Sequence, residues 1–425
     1  MDALRIRGGK RLRGEWTVQN AKNAALPIMA GAILTEGKTV LRDCPRLSDI
    51  SDMGEILRTL GCGVHRDGGT LEIDPGGLCG YEMPEELSKR IRSSIFLLGP
   101  ILARFRRANV SLPGGCEIGL RPIDLHLSGL RQLGVQMEEE GGVIRCDGRN
   151  MHPATVHFDY PSVGATENVM MAAALLRGET VLNNVAREPE ILDLQRFLNA
   201  MGAKIIGAGT NSIRVQGVSR LTCVEYRPMP DRIAAGTLLA AAAVTGGSVR
   251  LRNVPVEEML AVIAKLEEMG CVISRQENSL TLHGPERLSA FAQLQTQPHP
   301  GFPTDMQAQM MAIASLAKGT SVVVENVFEN RFAHAGDLNR MGANILINGR
   351  TAVIRGVERL SGARVTARDL RGGAALAIAG LAAQVETIVE RARLIDRGYE
   401  SLETALTHLG ADVQRISVER GEEHP

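Results

Sequence analysis

An internal repeat constrains the fold of this chain more than any other feature of its sequence. Six segments each carry a Leu or Met directly before a Gly, and a short apolar run follows that Gly. The six copies are ILRTLGCGV (56–64), GLRQLGVQM (129–137), FLNAMGAKI (197–205), KLEEMGCVI (265–273), DLNRMGANI (337–345) and ALTHLGADV (405–413). A glycine at this point supplies the left-handed backbone conformation that ends an α-helix. The pattern therefore predicts six modules in which a helix ends at a glycine and leads into a strand.

The residues around the copies predict further strands in each module. After the first copy, Gly68 and Gly69 separate two β-prone runs, which is the signal of a β-hairpin. Upstream of most copies a glycine precedes a run rich in Val and Thr, as in GKTVLRDCP and GETVLNNVA, and this indicates another strand. Each module of about 70 residues is therefore expected to be mixed α/β, with two helices and several strands.

Modules of this size can be arranged in two ways. Linear stacking into a solenoid is one, but solenoid repeats usually run roughly 20–50 residues, which is shorter than the repeat found here. Grouping three by three into two globular lobes is the favoured arrangement. The division is expected near EYRPMPDRI (225–233), where two prolines interrupt the pattern. A cleft between two lobes suits a substrate that has to be enclosed.

The charge balance and the cysteines exclude several function classes. Lys plus Arg and Asp plus Glu both number 48, and this neutral balance argues against a nucleic-acid binder. A small anionic substrate in a local basic pocket stays compatible with it. The seven cysteines are odd in number and form no CxxC pair, so we expect reduced thiols rather than a zinc site or a disulfide framework.

No segment reads as a signal peptide or a membrane span. The N-terminal segment has no apolar run of signal-peptide length. The longest uncharged stretch lies between Arg232 and Arg250, and it is short and broken by glycines. It predicts a buried helix of small residues followed by a turn. We therefore expect a cytoplasmic protein without membrane insertion.

Two stretches in the first half carry candidate functional residues. In QNAKNAALP (19–27), Lys22 and Asn23 precede an apolar helical run, and a helix start with a lysine attracts anions. A solvated lysine beside a capping asparagine is the plainer interpretation. In SLPGGCEIGLRPIDLH (111–126), Cys116 follows two glycines and stands near Arg121, so it could act as an acid or a nucleophile. An ordinary loop cysteine is the alternative.

Two further stretches lie in the second half. In PHPGFPTDMQAQMMA (298–312), Asp305 precedes a Met-rich helix, where it could be a general base or simply a helix cap. In VTARDLRGGAAL (365–376), Asp369 and Arg371 precede a Gly-Gly helix start. In ARLIDRGYE (392–400), Arg397 precedes a glycine. Each arginine taken alone could be an ordinary surface charge.

Together these stretches closely resemble the UDP-N-acetylglucosamine 1-carboxyvinyltransferase family of enolpyruvyl transferases, over essentially the whole chain. The long elements LPGGCEIGLRPIDLH and FPTDMQAQ carry the resemblance. It implies an α/β fold of two lobes, an inside-out, barrel-like architecture with three βαβαββ repeats in each lobe. It also implies that residues 22–229 form the first lobe, and that residues 1–21 and 230–425 form the second.

The resemblance assigns chemical roles to matched residues. Cys116 corresponds to the thiol that donates a proton to the methylene carbon of phosphoenolpyruvate and can carry a covalent adduct. Asp305 corresponds to the base on the sugar 3-hydroxyl, and Asp369 to an acidic residue of a late proton transfer. The cations implied to hold phosphoenolpyruvate are Lys22, Arg121 and Arg397. No metal or cofactor is implied, because arginine and lysine can supply the electrostatics.

The substrate-binding residues implied by the resemblance are Lys22, Asn23, Arg92, Arg121, Pro122, Ile123, Asp124, Leu125, Ser162, Val163, Gly164, Asp305 and Val327. Among these, Ser162, Val163 and Gly164 correspond to a turn that binds a diphosphate. Ser48 and Tyr160 depart from the family pattern, which often has lysine there, and this concerns sugar-nucleotide binding rather than the chemistry. The expected partners are the small molecules phosphoenolpyruvate and UDP-N-acetylglucosamine, with no nucleic acid, and the sequence leaves the oligomeric state open.

Three other functions compete with this one. The sister enzyme that acts on shikimate 3-phosphate shares the donor and the mechanism, but it should lack the Cys116 loop. A catalytically silent paralogue could bind the nucleotide sugar and regulate. A nucleic-acid 3′-phosphate cyclase of related module architecture would need a nucleotidylated histidine, and neither His126 nor His334 stands in a fitting context.

Overall fold

The computed structural model of the chain describes residues 2–83, 85–111 and 123–418. Backbone contacts divide these residues into two compact units. The first, called here the N/C unit, contains residues 2–19 and 230–418. The second, called the middle unit, contains residues 20–83, 85–111 and 123–229.

The strands are short and numerous, as expected for a chain of small α/β modules. In chain order they are β1 (Asp2–Arg7), β2 (Arg13–Thr17), β3 (Thr39–Leu41), β4 (Gly63–Asp67), β5 (Thr70–Asp74), β6 (Arg107–Ser111), β7 (Gln136–Glu140), β8 (Val143–Asp147), β9 (Thr155–His157), β10 (Gly178–Asn183), β11 (Lys204–Ile206), β12 (Ser212–Gly217), β13 (Glu225–Tyr226), β14 (Ser248–Arg252), β15 (Val272–Gln276), β16 (Ser279–His283), β17 (Gln293–Gln295), β18 (Thr320–Val324), β19 (Asn344–Asn348), β20 (Thr351–Arg355), β21 (Leu360–Ser361), β22 (Arg364–Thr366), β23 (Ala383–Gln384), β24 (Glu386–Glu390) and β25 (Asp412–Ser417).

The helices alternate with these strands. The α-helices are α1 (Lys22–Gly31), α2 (Ser48–Thr59), α3 (Glu85–Arg90), α4 (Leu98–Phe105), α5 (Asp124–Gln132), α6 (Val163–Ala173), α7 (Pro189–Ala200), α8 (Arg232–Val244), α9 (Leu260–Glu268), α10 (Gln307–Ala314), α11 (Ala335–Arg340), α12 (Leu370–Ala382) and α13 (Leu402–His408). Short 3-10 helices span Ala32–Leu34, Pro75–Gly77, Arg92–Leu97, Val256–Met259, Thr304–Met306 and Ala392–Arg397. None of the helices described is both long and apolar enough to span a bilayer.

Each repeat forms one small sheet. In the fifth repeat β17 runs parallel to β18, and β20 and β19 then follow in antiparallel order. The third and fourth repeats show the same order, as β9-β10-β12-β11 and β2-β14-β16-β15. These sheets confirm the prediction of repeated mixed α/β modules. Within the described residues every sheet keeps two edges, so the barrel-like expectation does not extend to a closed barrel of strands.

Three sheets are completed by strands from distant parts of the chain. The N-terminal strand β1 lies between β24 and β25, so that Ile6 pairs with Thr387 on one side and with Val413 on the other. The next strand, β2, extends the sheet of the fourth repeat through β14. In the middle unit β13 pairs with β3 and completes the sheet of the first repeat.

The repeat glycines end their helices as the sequence predicts. The six glycines, Gly61, Gly134, Gly202, Gly270, Gly342 and Gly410, have φ angles between 89° and 101°. After α2, the Gly61 N–H donates to the Arg58 carbonyl and the Cys62 N–H donates to the Leu57 carbonyl, both at 2.9 Å. This pair of hydrogen bonds is the Schellman motif, which satisfies the last carbonyls of a helix. A side chain at these positions would be strained, which explains the recurrence of glycine.

The buried helices position the candidate site. In the N/C unit α8, α10 and α12 pack against one another, and nearly all their residues are buried. Alanine and glycine predominate in α8 and α12, so the helix backbones can approach closely. Buried hydrogen bonds also join these helices. Gln309 of α10 donates to Thr237 of α8 at 3.0 Å, and Thr237 is hydrogen-bonded to Tyr399 at 2.9 Å. The prediction of a buried small-residue helix after Arg232 is confirmed.

Candidate active site

Lys22 is the first residue of α1, so its predicted place at a helix start is confirmed. Its Nζ lies 3.1 Å from Asp49 Oδ2, and the two side chains are only 10% and 3% exposed. The interpretation of Lys22 as a solvated surface charge is therefore wrong. A buried lysine needs such a carboxylate partner, because an isolated charge in the interior is costly. The neighbouring Asn23 is exposed.

The residues predicted to bind the nucleotide sugar stand at the starts of three helices of the middle unit. Arg92 begins the 3-10 helix Arg92–Leu97, Asp124 begins α5, and Ser162 caps α6 by accepting from the Ala165 N–H at 3.4 Å. The 3-10 helix packs on α1 and α6, and α6 packs on α5.

Close contacts show that the starts of α5 and α6 are neighbours and that the end of the 3-10 helix packs beside them. A Cβ added to Gly164 would lie 2.9 Å from His126 Cε1 and 3.0 Å from Phe96 Cε1. The residues of this set are Arg92, Ile123, Asp124, Leu125, Ser162, Val163 and Gly164, and the structure brings the elements that carry them together. The first turns of α5 and α6 are therefore adjacent, and helix N-termini favour an anion because of their dipoles.

Asp305 lies in the 3-10 helix Thr304–Met306, directly before α10. Its Oδ1 accepts from Arg331 Nη2 at 2.7 Å. Its Oδ2 accepts from Arg371 Nη2 at 3.0 Å and from Arg371 Nε at 3.3 Å. The interpretation of Asp305 as a helix cap is wrong, since Pro303 and Met306 hold the N-cap positions of the 3-10 helix and of α10.

The two arginines are buried and the carboxylate between them is not. The Arg331 and Arg371 side chains are 4% and 2% exposed, whereas 26% of the Asp305 side chain is exposed. The Arg371 guanidinium also lies 5.3 Å from the centre of the Tyr399 ring. Burial alone lowers the pKa of Arg371, but Tyr399, Asp305 and Asp231 outweigh burial and raise it. The site thus holds two permanent cations behind one accessible carboxylate.

Asp369 is joined to this cluster through the backbone. It caps α12, since its Oδ1 accepts from the N–H groups of Arg371 at 2.9 Å and of Gly372 at 3.0 Å. Arg397 ends the 3-10 helix Ala392–Arg397, and a Cβ added to the next residue, Gly398, would lie 3.2 Å from Arg371 Nη1. The structure therefore places Asp305, Asp369 and the backbone next to Arg397 around one arginine.

Val327 is held in place by a buried carboxylate. Glu325 is 1% exposed, and its Oε1 accepts from the Val327 N–H at 2.8 Å and the Phe328 N–H at 3.0 Å. Its Oε2 accepts from the hydroxyl of Thr304, the neighbour of Asp305, at 3.0 Å. Glu325 thus links the turn of Val327 to the turn of Asp305.

Sequence reasoning did not single out three of these residues as part of the site. Glu325 and Arg331 carry no motif signal that separates them from surface charges. For Arg371, before the Gly-Gly helix start, the sequence favours a surface charge, and that interpretation is wrong because the side chain is buried. The one available signal is its position at the start of a helix that otherwise contains only Ala, Gly, Leu and Ile. The predicted residues Cys116, Arg121 and Pro122 lie outside the residues that the structure describes.

Comparison with known proteins shows relatives that match this chain over nearly its whole length. The model of the EPSP synthase (3-phosphoshikimate 1-carboxyvinyltransferase) family matches residues 6–406. The chain is 51% identical over 416 residues to the protein named UDP-N-acetylglucosamine 1-carboxyvinyltransferase 2 of Caldanaerobacter subterraneus subsp. tengcongensis, covering 98% of this chain and 100% of that protein. It is 50% identical to the UDP-N-acetylglucosamine 1-carboxyvinyltransferase of Myxococcus xanthus, over 98% and 99% of the two chains.

A solved structure has the same fold. The enolpyruvyl transferase NikO from Streptomyces tendae superposes with a TM-score of 0.89 at 24% identity, over 98% of this chain and 99% of that chain.

Proposed function

The chain belongs to the EPSP synthase family of carboxyvinyltransferases, and on this premise we propose that it transfers the enolpyruvyl group of phosphoenolpyruvate to the 3-hydroxyl of UDP-N-acetylglucosamine and releases phosphate. The acceptor is supported by relatives about 50% identical over nearly the whole chain, which are named for that activity. The reaction is the first committed step of peptidoglycan synthesis. A cytoplasmic location stays a prediction from the sequence.

The observation that carries the proposal is the carboxylate of Asp305 held between Arg331 and Arg371. The reaction needs a base for the sugar hydroxyl and cations for a donor that carries both phosphate and carboxylate. The partly exposed Asp305 can reach a hydroxyl, while the two buried guanidinium groups fix the orientation of its carboxylate. Any carboxylate is a far weaker base than an alkoxide, so proton transfer from the hydroxyl should accompany C–O bond formation rather than precede it.

The proposed mechanism has an addition and an elimination. In the addition, Cys116 donates a proton to the methylene carbon of phosphoenolpyruvate, the 3-hydroxyl oxygen bonds to the neighbouring carbon, and Asp305 takes the hydroxyl proton. The result is a tetrahedral intermediate that still carries phosphate. In the elimination the new methyl group loses a proton, the double bond reforms and phosphate leaves, with Asp369 assisting this late proton transfer.

The remaining predicted residues are proposed to hold the substrates. The donor's phosphate and carboxylate are bound by Lys22, Arg121 and Arg397, with Asn23 beside them. The nucleotide sugar is bound by Arg92, Arg121, Pro122, Ile123, Asp124, Leu125, Ser162, Val163, Gly164, Asp305 and Val327. Support for the second set comes from the adjoining helix starts of the middle unit, which favour an anionic group.

Shikimate 3-phosphate is the second candidate acceptor, because the matching family model is named for that enzyme. A phosphate-release assay with phosphoenolpyruvate and each acceptor in turn separates the two. We expect release with UDP-N-acetylglucosamine and none above background with shikimate 3-phosphate. Release with shikimate 3-phosphate alone would overturn the proposal. Binding of UDP-N-acetylglucosamine without any release would favour a silent paralogue.

A further inference from the structure

A buried asparagine of α6 makes hydrogen bonds with every polar atom of its side chain. Asn168 Nδ2 donates to the Ile95 carbonyl at 2.7 Å and is 2.9 Å from His126 Nδ1. Asn168 Oδ1 accepts from the Gly99 N–H at 2.5 Å. The orientation of the amide follows from these partners. A flipped amide would set its oxygen against the Ile95 carbonyl and its NH2 group against the Gly99 N–H, and both contacts are repulsive.

This arrangement decides where the proton of His126 sits. Because Asn168 can present only an N–H to His126, the imidazole Nδ1 has to accept. His126 is 7% exposed, and burial, aided by the charge of Arg92, lowers its pKa to about 3. The ring is therefore neutral at physiological pH, and its single proton is on Nε2.

The protonated nitrogen faces the start of α6. A Cβ added to Gly164 would lie 3.1 Å from His126 Nε2, so the ring edge is directly against the first turn of that helix. Any larger residue would push the ring away, because its Cβ would also lie 2.9 Å from His126 Cε1. The other tautomer would present a lone pair toward this helix start and would repel an anion bound there, whereas the Nε2–H adds a donor beside the N-terminus of α6.

We propose that Asn168 is a positioning residue for the nucleotide-sugar site, which holds His126 with its proton on Nε2 so that the imidazole offers a fixed N–H donor to the diphosphate of the substrate. The inference rests on the proposed function for the identity of the ligand, a nucleoside diphosphate sugar. The tautomer itself depends only on the contacts of Asn168, which makes it testable in the unliganded protein.

The first test is the nitrogen NMR spectrum of the full chain labelled with 15N-histidine, with the His126 signals assigned by their loss in His126→Gln. We expect Nδ1 unprotonated and Nε2 protonated in the free protein at neutral pH. Saturating UDP-N-acetylglucosamine should shift the Nε2 signal. Each of three results would overturn the proposal: a proton on Nδ1, an imidazolium, or an Nε2 chemical shift that does not change when the nucleotide sugar binds.

The second test is Asn168→Asp, which keeps the shape but replaces the N–H donor by an acceptor. The carboxylate should draw the His126 proton to Nδ1. We expect the KM for UDP-N-acetylglucosamine to rise by about tenfold or more, as for a lost hydrogen bond to a charged group. The KM for phosphoenolpyruvate and kcat should change far less. An unchanged tautomer together with an unchanged KM would contradict the inference.

Asn199→Asp is the matched control. Asn199 also lies in the middle unit and pairs with a backbone segment, donating to the Ile205 carbonyl at 2.8 Å and accepting from the Ile205 N–H at 2.9 Å. The Asn199→Asp variant should have the same His126 tautomer and the same two KM values as the wild type. A general loss of folded protein lowers kcat without a selective rise in one KM. If Asn168→Asp fails to fold, the wild-type spectrum decides by itself.

The two proposals fail in different ways. A wild type that releases no phosphate with UDP-N-acetylglucosamine would refute the proposed function and leave the tautomer to be judged by NMR. An active wild type with the His126 proton on Nδ1 would refute the inference and leave the function standing.

Discussion

Arg371 Nη2 lies 3.0 Å from Asp305 Oδ2, although the two residues are 66 positions apart in the chain. The bond joins the turn before α10 to the first turn of α12, where Asp369 caps the same helix. The proposed base is therefore fixed by a buried cation that belongs to a different repeat. Its geometry depends on the packing of the N/C unit rather than on its own local sequence.

Arg371→Met tests this dependence. The substitution keeps the buried volume roughly but removes both hydrogen bonds to Asp305, so the carboxylate loses its orientation and one of its two cations. We expect kcat/KM to fall about 100-fold or more, which is the size of effect seen when one preorganised electrostatic group is lost. The measurement is steady-state phosphate release with both substrates varied.

Arg368→Met is the control in the same stretch of chain. Its side chain is 54% exposed. Its partner Asp337, at 3.6 Å, is 7% exposed and also accepts from the Thr366 N–H at 3.4 Å, so this carboxylate keeps a hydrogen bond when Arg368 is replaced. The kcat/KM of Arg368→Met should stay within about twofold of the wild type, because an exposed charge contributes little. Equal losses in both variants would mean that Arg371 acts only through general stability.

Cys116→Ser tests the proposed acid. A serine hydroxyl is a far weaker acid than a thiol, whose ordinary pKa is about 8.5. We expect turnover at neutral pH to fall about 100-fold or more, in line with the loss of a general acid. Calorimetric titration should show that UDP-N-acetylglucosamine still binds.

The exposed Cys79 provides the comparison, and Cys79→Ser should keep full activity. Full activity of Cys116→Ser as well would remove the thiol from the mechanism.

Gly99→Ala tests the close approach of α4 and α6. An added Cβ would lie 2.2 Å from the backbone oxygen of Asn168, and neither backbone can yield easily. We expect a loss of about 2 to 3 kcal/mol in the free energy of unfolding, read from the urea midpoint. Gly336→Ala in α11 is the control, because an added Cβ there meets nothing within 4 Å. The free energy of unfolding of Gly336→Ala should rise by about 0.5 kcal/mol, because alanine has less backbone entropy to lose on folding than glycine. Equal changes in the two variants would contradict the close approach of α4 and α6.

Glu167→Gln tests a buried acid of α6. Burial, together with Glu190 and Glu188, raises the pKa of Glu167 well above its usual range. A carboxyl group with a raised folded-state pKa holds its proton more tightly in the native chain, so the native state loses stability as pH rises from the unfolded value toward the folded one. The glutamine variant lacks this titration. Its melting temperature should equal or exceed that of the wild type, and the difference should grow from pH 4 towards neutral pH.

Glu179→Gln is the counterpart on the surface of the same unit. The Glu179 side chain is 51% exposed and pairs with Arg214 at 3.6 Å, so its replacement should change the melting temperature little, because an exposed ion pair contributes little to stability. A wild type and a Glu167→Gln variant with parallel pH profiles would show that Glu167 titrates normally.

The local parts of the fold were predictable from the sequence. Each repeat glycine ends a helix because the left-handed conformation is a property of that one residue, and Gly61 shows the full Schellman pattern. The Gly68–Gly69 hairpin between β4 and β5 follows from equally local rules, with Asp67 paired to Thr70. The position of β1 between β24 and β25 was not predictable, because nothing in a strand specifies a partner some 400 residues away in sequence.

The site was predictable in part. Lys22 at a helix start could be found because a lysine before a small apolar run has a local meaning. Arg331 and Arg371 could not be found, since a buried arginine and a solvated one look alike in sequence, and only packing shows which charge they meet. The capping interpretation of Asp305 failed for the same reason. Its competing partners come from other segments of the chain.

The structure of the product tests the central claim most directly. The wild-type protein is incubated with 13C-labelled phosphoenolpyruvate and UDP-N-acetylglucosamine, and the product is examined by carbon–proton correlation NMR. We expect a vinylic methylene signal from the labelled carbons, linked across an ether oxygen to carbon 3 of the sugar, with an equal amount of phosphate. Labelled pyruvate beside unchanged UDP-N-acetylglucosamine, or no reaction at all, would contradict the account.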